Sequence, residues 1–207
     1  GQSRLSLGSE MRRETAPTTS FLYSSMKTTS ALLLLAAVIV TLLSPVLSRL
    51  DLLMRGSDLH VHQSWEAHNR RSLDAGDIPL WNPYVYGGSP AMAELQSQTF
   101  YPPAILLRWL PLNEYFSWSI ALHLWVLGAG LYLLARNIGV SRTAATAGAL
   151  AMVLCGCVTQ RLYLGHFTVL ETYAWFPLAF AFARRGMTNG RLAPHPGLVA
   201  VLTIQIL

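Results

Sequence analysis

Apolar runs recur along this chain at lengths that read as membrane helices. They occupy residues 28–50, 114–136, 143–160, 167–184 and 194–207, and a helix needs roughly 20 mostly apolar residues to cross the hydrocarbon core. The first two are the clearest, with no charge from Thr28 to Ser48 or from Tyr115 to Ala135. The third is rich in Ala and Gly, which suits close helix packing. The fourth is interrupted by Glu171 and Pro177, and the fifth is still open at Leu207. A membrane helix cannot stop within the bilayer with its carbonyls unpaired, so the pattern predicts the N-terminal part of a longer chain. The predicted class is an all-α polytopic membrane protein, with residues 26–207 as the membrane domain. Residues 1–25, polar and without helical period, are expected to be a disordered tail or upstream read-through.

Residues 51–113 interrupt this pattern and form the expected working surface, because so long a connector is functional more often than not. Prolines at 79, 83, 90, 102 and 103 and the Gly87-Gly88 pair exclude regular helix or strand across most of it. Trp81, Tyr84, Tyr86, Phe100 and Tyr101 alternate with these breakers, and such aromatics suit a lipid–water boundary. A compact loop resting on the membrane is expected.

Hydrophobic residues make up 52% of the chain and charged ones 12%, with a formal net charge of +5. Arg136, Arg142, Arg184, Arg185 and Arg191 cluster in two short connectors, while Arg161 stands in the opposing one. By the positive-inside rule the N-terminus lies inside and loop 51–113 outside. The positive charge therefore marks membrane flanks, and no nucleic-acid partner is expected. Cys155 and Cys157 are expected to be buried packing residues. Nucleotide-binding, nucleophile-elbow and zinc-protease motifs are absent from the sequence.

Asp58, His62, Glu66 and Arg70 recur every four residues, so a helix over 58–73, capped by Ser57 or Asp58, places them on one face. Such a stripe is either a solvated row of ion pairs or a reactive face. On the second reading a carboxylate at the mouth of a membrane cavity accepts a proton from an attacking hydroxyl, with Asp58 first and Glu94 second. His60, His62, Glu66 and His68 carry metal-ligating groups, but His60 and His62 fall on different helix faces. No metal ligand is assigned, and a divalent metal cofactor is left open. Arg161 either snorkels to the interface or, with His166, holds a lipid phosphate. His123 stands mid-span, where a helix–helix hydrogen bond explains it.

The order G-D-I-P-L-W-N-P-Y (76–84), G-G-S-P (87–90), Q-S-Q-T-F-Y-P (96–102) and W-F-P-L (175–178) resembles the N-terminal part of the YfhO-like bacterial membrane proteins of the GT-C glycosyltransferase superfamily. The resemblance covers roughly residues 26–185. It implies a GT-C-like helix bundle in the bacterial cytoplasmic membrane with its active site on the outer face. It further implies a polyprenyl-phosphate-linked sugar donor and a cell-envelope glycan or teichoic-acid-type acceptor. An acidic residue in the first outer loop is essential in such enzymes, which Asp58 matches. Glu94 stands where relatives tend to carry Asp. His62, Glu66, Trp81, Asn82, Tyr84, Gln96, Tyr101, Arg161 and His166 are the expected substrate contacts. A transporter or flippase, or a non-catalytic envelope assembly subunit, is the alternative.

Overall fold

The computed structural model describes residues 28–48, 58–188 and 195–206. Ser57, offered as a cap, and the tail at 1–25 lie outside these. Among the described residues the regular elements are all helical, apart from one isolated antiparallel bridge between Asn82 and Ser89. The helices are α1 (Thr28–Leu47), α2 (Leu59–Asp74), α3 (Pro102–Leu107), α4 (Leu112–Asn137), α5 (Arg142–Val153), α6 (Gly156–Leu164), α7 (Phe167–Thr188) and α8 (Pro196–Ile206). Two short 3-10 turns, Ala91–Ala93 and Leu95–Ser97, lie between α2 and α3.

Three segments are long and apolar enough to cross a membrane: α1, α4 and α5–α6 taken together. Of the five expected spans these are the first three. The expected fourth is helix α7, whose polar residues leave it outside this set, and the expected fifth is the shorter apolar α8. The third is discontinuous, because Cys155 takes an extended conformation (φ −68°, ψ 155°) between α5 and α6. Cys157 is exposed and Cys155 only half-buried, contrary to the expected burial.

Helix α4 is the centre, packed against α1, α5 and α7. In α1, Ala31, Leu35, Ile39 and Leu43 are buried while Leu33, Leu34, Val40 and Leu42 are exposed. The four-residue spacing aligns one face on α4 and leaves the rest apolar and outward, as lipid requires. A Cβ at Gly130 would stand 2.8 Å from the Leu178 backbone nitrogen, so Gly130 is what lets α4 and α7 approach. Trp125 of α4 donates to the Leu32 carbonyl of α1 at 3.2 Å, and Asn137 to the Ala181 carbonyl of α7 at 3.0 Å.

Helix α2 forms where the 58–73 spacing predicts it. Its polar stripe is buried only in the middle: His62 and Glu66 are buried, with Asn69 beside them, while Asp58 at its start stays exposed; Glu66 and Asn69 are turned toward the 97–110 segment. Asn69 donates to the Ser97 carbonyl at 2.7 Å and accepts from Thr99 Oγ1 at 3.3 Å, so a helix face without an apolar stripe is held by hydrogen bonds instead.

Candidate functional site

The residues expected to act together fall into three places. The first is the start of α2. Asp58 precedes the helix, half-exposed, and makes no side-chain cap hydrogen bond. Its Oδ2 lies 3.3 Å from His166 Nε2, and Arg161 Nη1 lies 2.8 Å from His166 Nδ1. A guanidinium can only donate, so Nδ1 accepts and the ring proton sits on Nε2, facing Asp58. His166 is thus a bridge between Arg161 and Asp58. His62 is one turn along α2, packed edge-on to Trp65 and against Phe167. Its imidazole is held below the ordinary histidine value, chiefly by burial, with the Asp58 charge opposing. The backbone of Gln96 faces it, which links this corner to the loop.

The second place is the far end of α2, about 20 Å along the helix from Asp58 at 1.5 Å per residue. Here the P-L-W-N-P-Y block folds on itself. Asn82 and Ser89 exchange backbone hydrogen bonds of 2.8 and 2.9 Å, and Asn82 Oδ1 accepts from the Tyr84 N–H at 3.0 Å. Asn82 is buried, so its amide oxygen shapes this turn. Gly88 has φ +118°, and a Cβ there would meet the Trp81 ring at 2.6 Å, so only glycine permits the indole to lie across the turn. Tyr84 is exposed and lies 5.0 Å beneath the Arg71 guanidinium. Trp81, Tyr86 and Phe100 are also exposed, whereas Tyr101 is buried inside the protein and not at the expected lipid–water boundary.

The third place is a cleft of about 710 Å³ between residues 92–101 and the α7–α8 pair, within the size range of small-molecule sites. Glu94 and Gln96 line it, as do Gln98, Glu171, Trp175 and Phe176. Glu171 is 2% exposed. Ser119 Oγ donates to its Oε1 at 2.6 Å, Gln98 Nε2 donates to its Oε2, and His123 Nδ1 lies 3.4 Å from Oε1. Trp175 Nε1 donates to the Tyr101 hydroxyl at 2.7 Å, and that hydroxyl is 2.6 Å from His123 Nε2. The Ser119 carbonyl, 2.7 Å from His123 Nδ1, can only accept, so the imidazole proton sits on Nδ1 and Nε2 accepts from the Tyr101 hydroxyl. Burial, reinforced by the negative charge of Glu171, holds the Tyr101 phenol well above its ordinary value. The hydroxyl therefore works as a hydrogen-bond relay in its neutral form.

Behind the loop, Glu66 accepts from Arg70 Nε at 2.9 Å and from Arg108 Nε at 3.1 Å. Arg108 also donates to the carbonyls of Thr99 (3.1 Å) and Gln98 (3.4 Å). Gln98 is in the left-handed region at φ 53°, ψ 33°, which costs a non-glycine residue about 1 kcal/mol. Arg108 on its carbonyl and Glu171 on its amide hold it there.

The structure thus brings Asp58, His62, Arg161 and His166 into one corner and Glu94, Gln96 and Tyr101 into the cleft. Trp81, Asn82 and Tyr84 lie apart from both, and Glu66 is a buried strut. Sequence reasoning left Gln98, Ser119 and Arg108 out of the site, and noted Glu171 and His123 without placing them in it. The available signal was an ionisable group inside an apolar helix, which marks functional positions. Among the described residues no group of three His, Cys, Asp or Glu converges as a metal site; His60 bonds Gln63 at 3.1 Å, and His68 packs on Tyr84. Comparison with protein-family models, curated proteins and solved structures gives no match.

Proposed function

We propose that this protein is a membrane glycosyltransferase, moving a sugar from a polyprenyl-phosphate-linked donor to a cell-envelope glycan or teichoic-acid-type acceptor at the outer face of the bacterial cytoplasmic membrane. The observation that carries this reading is the cleft. It pairs carboxylates and amides with aromatic walls, in a protein with three segments long and apolar enough to cross a membrane. Neutral donors and acceptors together with aromatic faces suit a sugar, whose hydroxyls need both kinds of partner and whose ring faces are apolar.

In the reaction, the acceptor oxygen bonds to the anomeric carbon as the bond from that carbon to the phosphate oxygen breaks. The phosphate leaves with the electron pair, and the hydroxyl proton passes to a carboxylate. Asp58 is assigned as that base, with Glu94 second. Asp58 is open enough to meet a substrate and is oriented by His166, the arrangement a general base requires. Arg161 supplies the fixed positive charge of the same corner, suited to a phosphate oxygen.

The rival reading, a transporter, has one observation in its favour: the break in α5–α6 at Cys155, since discontinuous membrane helices mark transport sites. A single assay separates the two. Membranes containing the protein are given a labelled polyprenyl-phosphate sugar, and product on envelope glycans is measured for wild type, Asp58→Asn and Glu94→Gln. The expected result is product with wild type and its loss with Asp58→Asn at unchanged thermal stability. Labelled lipid that crosses the membrane without forming product establishes the transporter instead.

A further inference from the structure

The cleft has a charge pattern that restricts what it can hold. Its two ionisable carboxylates, Glu94 and Glu171, are joined by the amides of Gln96, Gln98 and Gln205 and by Thr172, and among the described residues lining it there is no Lys, Arg or His. The nearest guanidinium behind the loop, that of Arg108, is already engaged by Glu66 and by the carbonyls of Gln98 and Thr99. A phosphate entering this space would be desolvated against negative charge with no cation to replace its water, which is strongly unfavourable. A cationic ligand is the competing occupant. The hydroxyl of Ser119 and the amide of Gln98 hydrogen-bond Glu171 without cancelling its charge.

The Thr172 hydroxyl donates to the Thr168 carbonyl and keeps acceptor sites; Gln205 Nε2 donates to the Thr172 carbonyl and Gln98 Nε2 to Glu171, which leaves each amide a second N–H and its oxygen. With Gln96 these groups offer both donors and acceptors, the complement of a polyol. Phe176 and Tyr173, each a little over two-fifths exposed, give the aromatic face for a sugar ring.

We infer that this cleft is the subsite for an uncharged sugar ring, that Glu171 and Gln98 are its hydroxyl-reading pair, and that the donor phosphate binds outside it. This deepens the glycosyltransferase reading and rests on it for the identity of the ligand as a sugar. Glu171 Oε2 is fixed by Gln98 Nε2, and that contact leaves the amide oxygen of Gln98 as an acceptor beside the carboxylate. The left-handed backbone at Gln98 is what brings the two side chains together from positions 73 residues apart.

The test is binding, which requires no turnover. Saturation-transfer NMR is recorded on the protein in lipid nanodiscs with glucose, galactose, mannose and N-acetylglucosamine, and separately with glucose 1-phosphate and choline. At least one neutral sugar is expected to receive saturation, and glucose 1-phosphate less than glucose. Phe176→Ala is expected to weaken the sugar by about three- to tenfold. Gln98→Asn is expected to do the same, since Asn tolerates the left-handed backbone but falls one methylene short of Glu171. Trp109→Ala, at a side chain 79% exposed and outside the cleft, serves as the unaffected control.

Silence from all four sugars, stronger saturation of choline or of the phosphate ester, or sugar signals indifferent to Phe176→Ala and Gln98→Asn overturns the inference. Sugar binding that depends on these residues in a protein without transfer activity upholds the subsite and removes the enzyme. Transfer that survives both cleft substitutions with unaltered sugar binding does the reverse.

Discussion

Glu66 and Glu171 are buried almost equally, at 3% and 2% exposure, yet their surroundings differ in kind. Glu66 is met by two guanidiniums, Arg70 and Arg108, which also grip the carbonyls of Leu110, Thr99 and Gln98. Glu171 is met by a hydroxyl, an amide and an imidazole, and it borders a cleft. A carboxylate saturated by fixed cations has little left to offer a ligand, and its release would leave buried charge unpaired. It acts as a strut. One held by neutral donors keeps acceptor capacity and stands at an opening, which is the condition for recognition or chemistry.

The comparison is broken most severely by Glu66→Ala. It leaves Arg70 and Arg108 without their common partner, and the expected loss is about 3–5 kcal/mol in thermal or denaturant unfolding of the detergent-solubilised protein. A loss under half that would mean the strut is replaceable. Tyr101→Phe comes next, because it strips the acceptor from Trp175 and the donor from His123 in one step. About 1–3 kcal/mol is expected, read in the same way. Glu171→Gln is the sharpest contrast: the amide keeps the shape and an acceptor for Ser119, so about 1 kcal/mol or less is expected, together with a clear fall in sugar transfer. If Glu171→Gln destabilises as strongly as Glu66→Ala, the distinction between strut and site collapses.

The smallest effect concerns the inward face of α2. His62 and His68 are both held below their ordinary value of 6.5, chiefly by burial. Between 6.5 and their folded values the unfolded chain binds more protons. Their contribution to stability is therefore complete above that pH and is lost as pH falls through the folded values. Melting temperature measured from pH 8 to pH 5 should decline on the acid side, with a shallower decline in His62→Gln. An identical acid limb in that variant would show that His62 does not contribute to it.

The membrane character of α1, α4 and α5–α6 was legible because hydropathy is a property of a local run of residues and needs no partner. The same holds for α2, whose four-residue spacing of Asp58, His62, Glu66 and Arg70 forces them onto one face, and for the irregular backbone around Gly87-Gly88. The direction in which that face points was not legible. The cation that draws Glu66 inward is Arg108, 42 residues away, and the amide that meets Glu171 is Gln98, 73 residues away. Nor could spacing show that Trp81, Asn82 and Tyr84 sit nearly four helical turns from Asp58, or that the third apolar span breaks at Cys155.

Periodicity fixes which side chains share a face, because the helical repeat is intrinsic to the backbone. Whether a charge is a strut, a solvated surface group or a binding group depends on which distant atoms replace its water. Only the packing of α2, the 92–101 segment, α4 and α7 decides that.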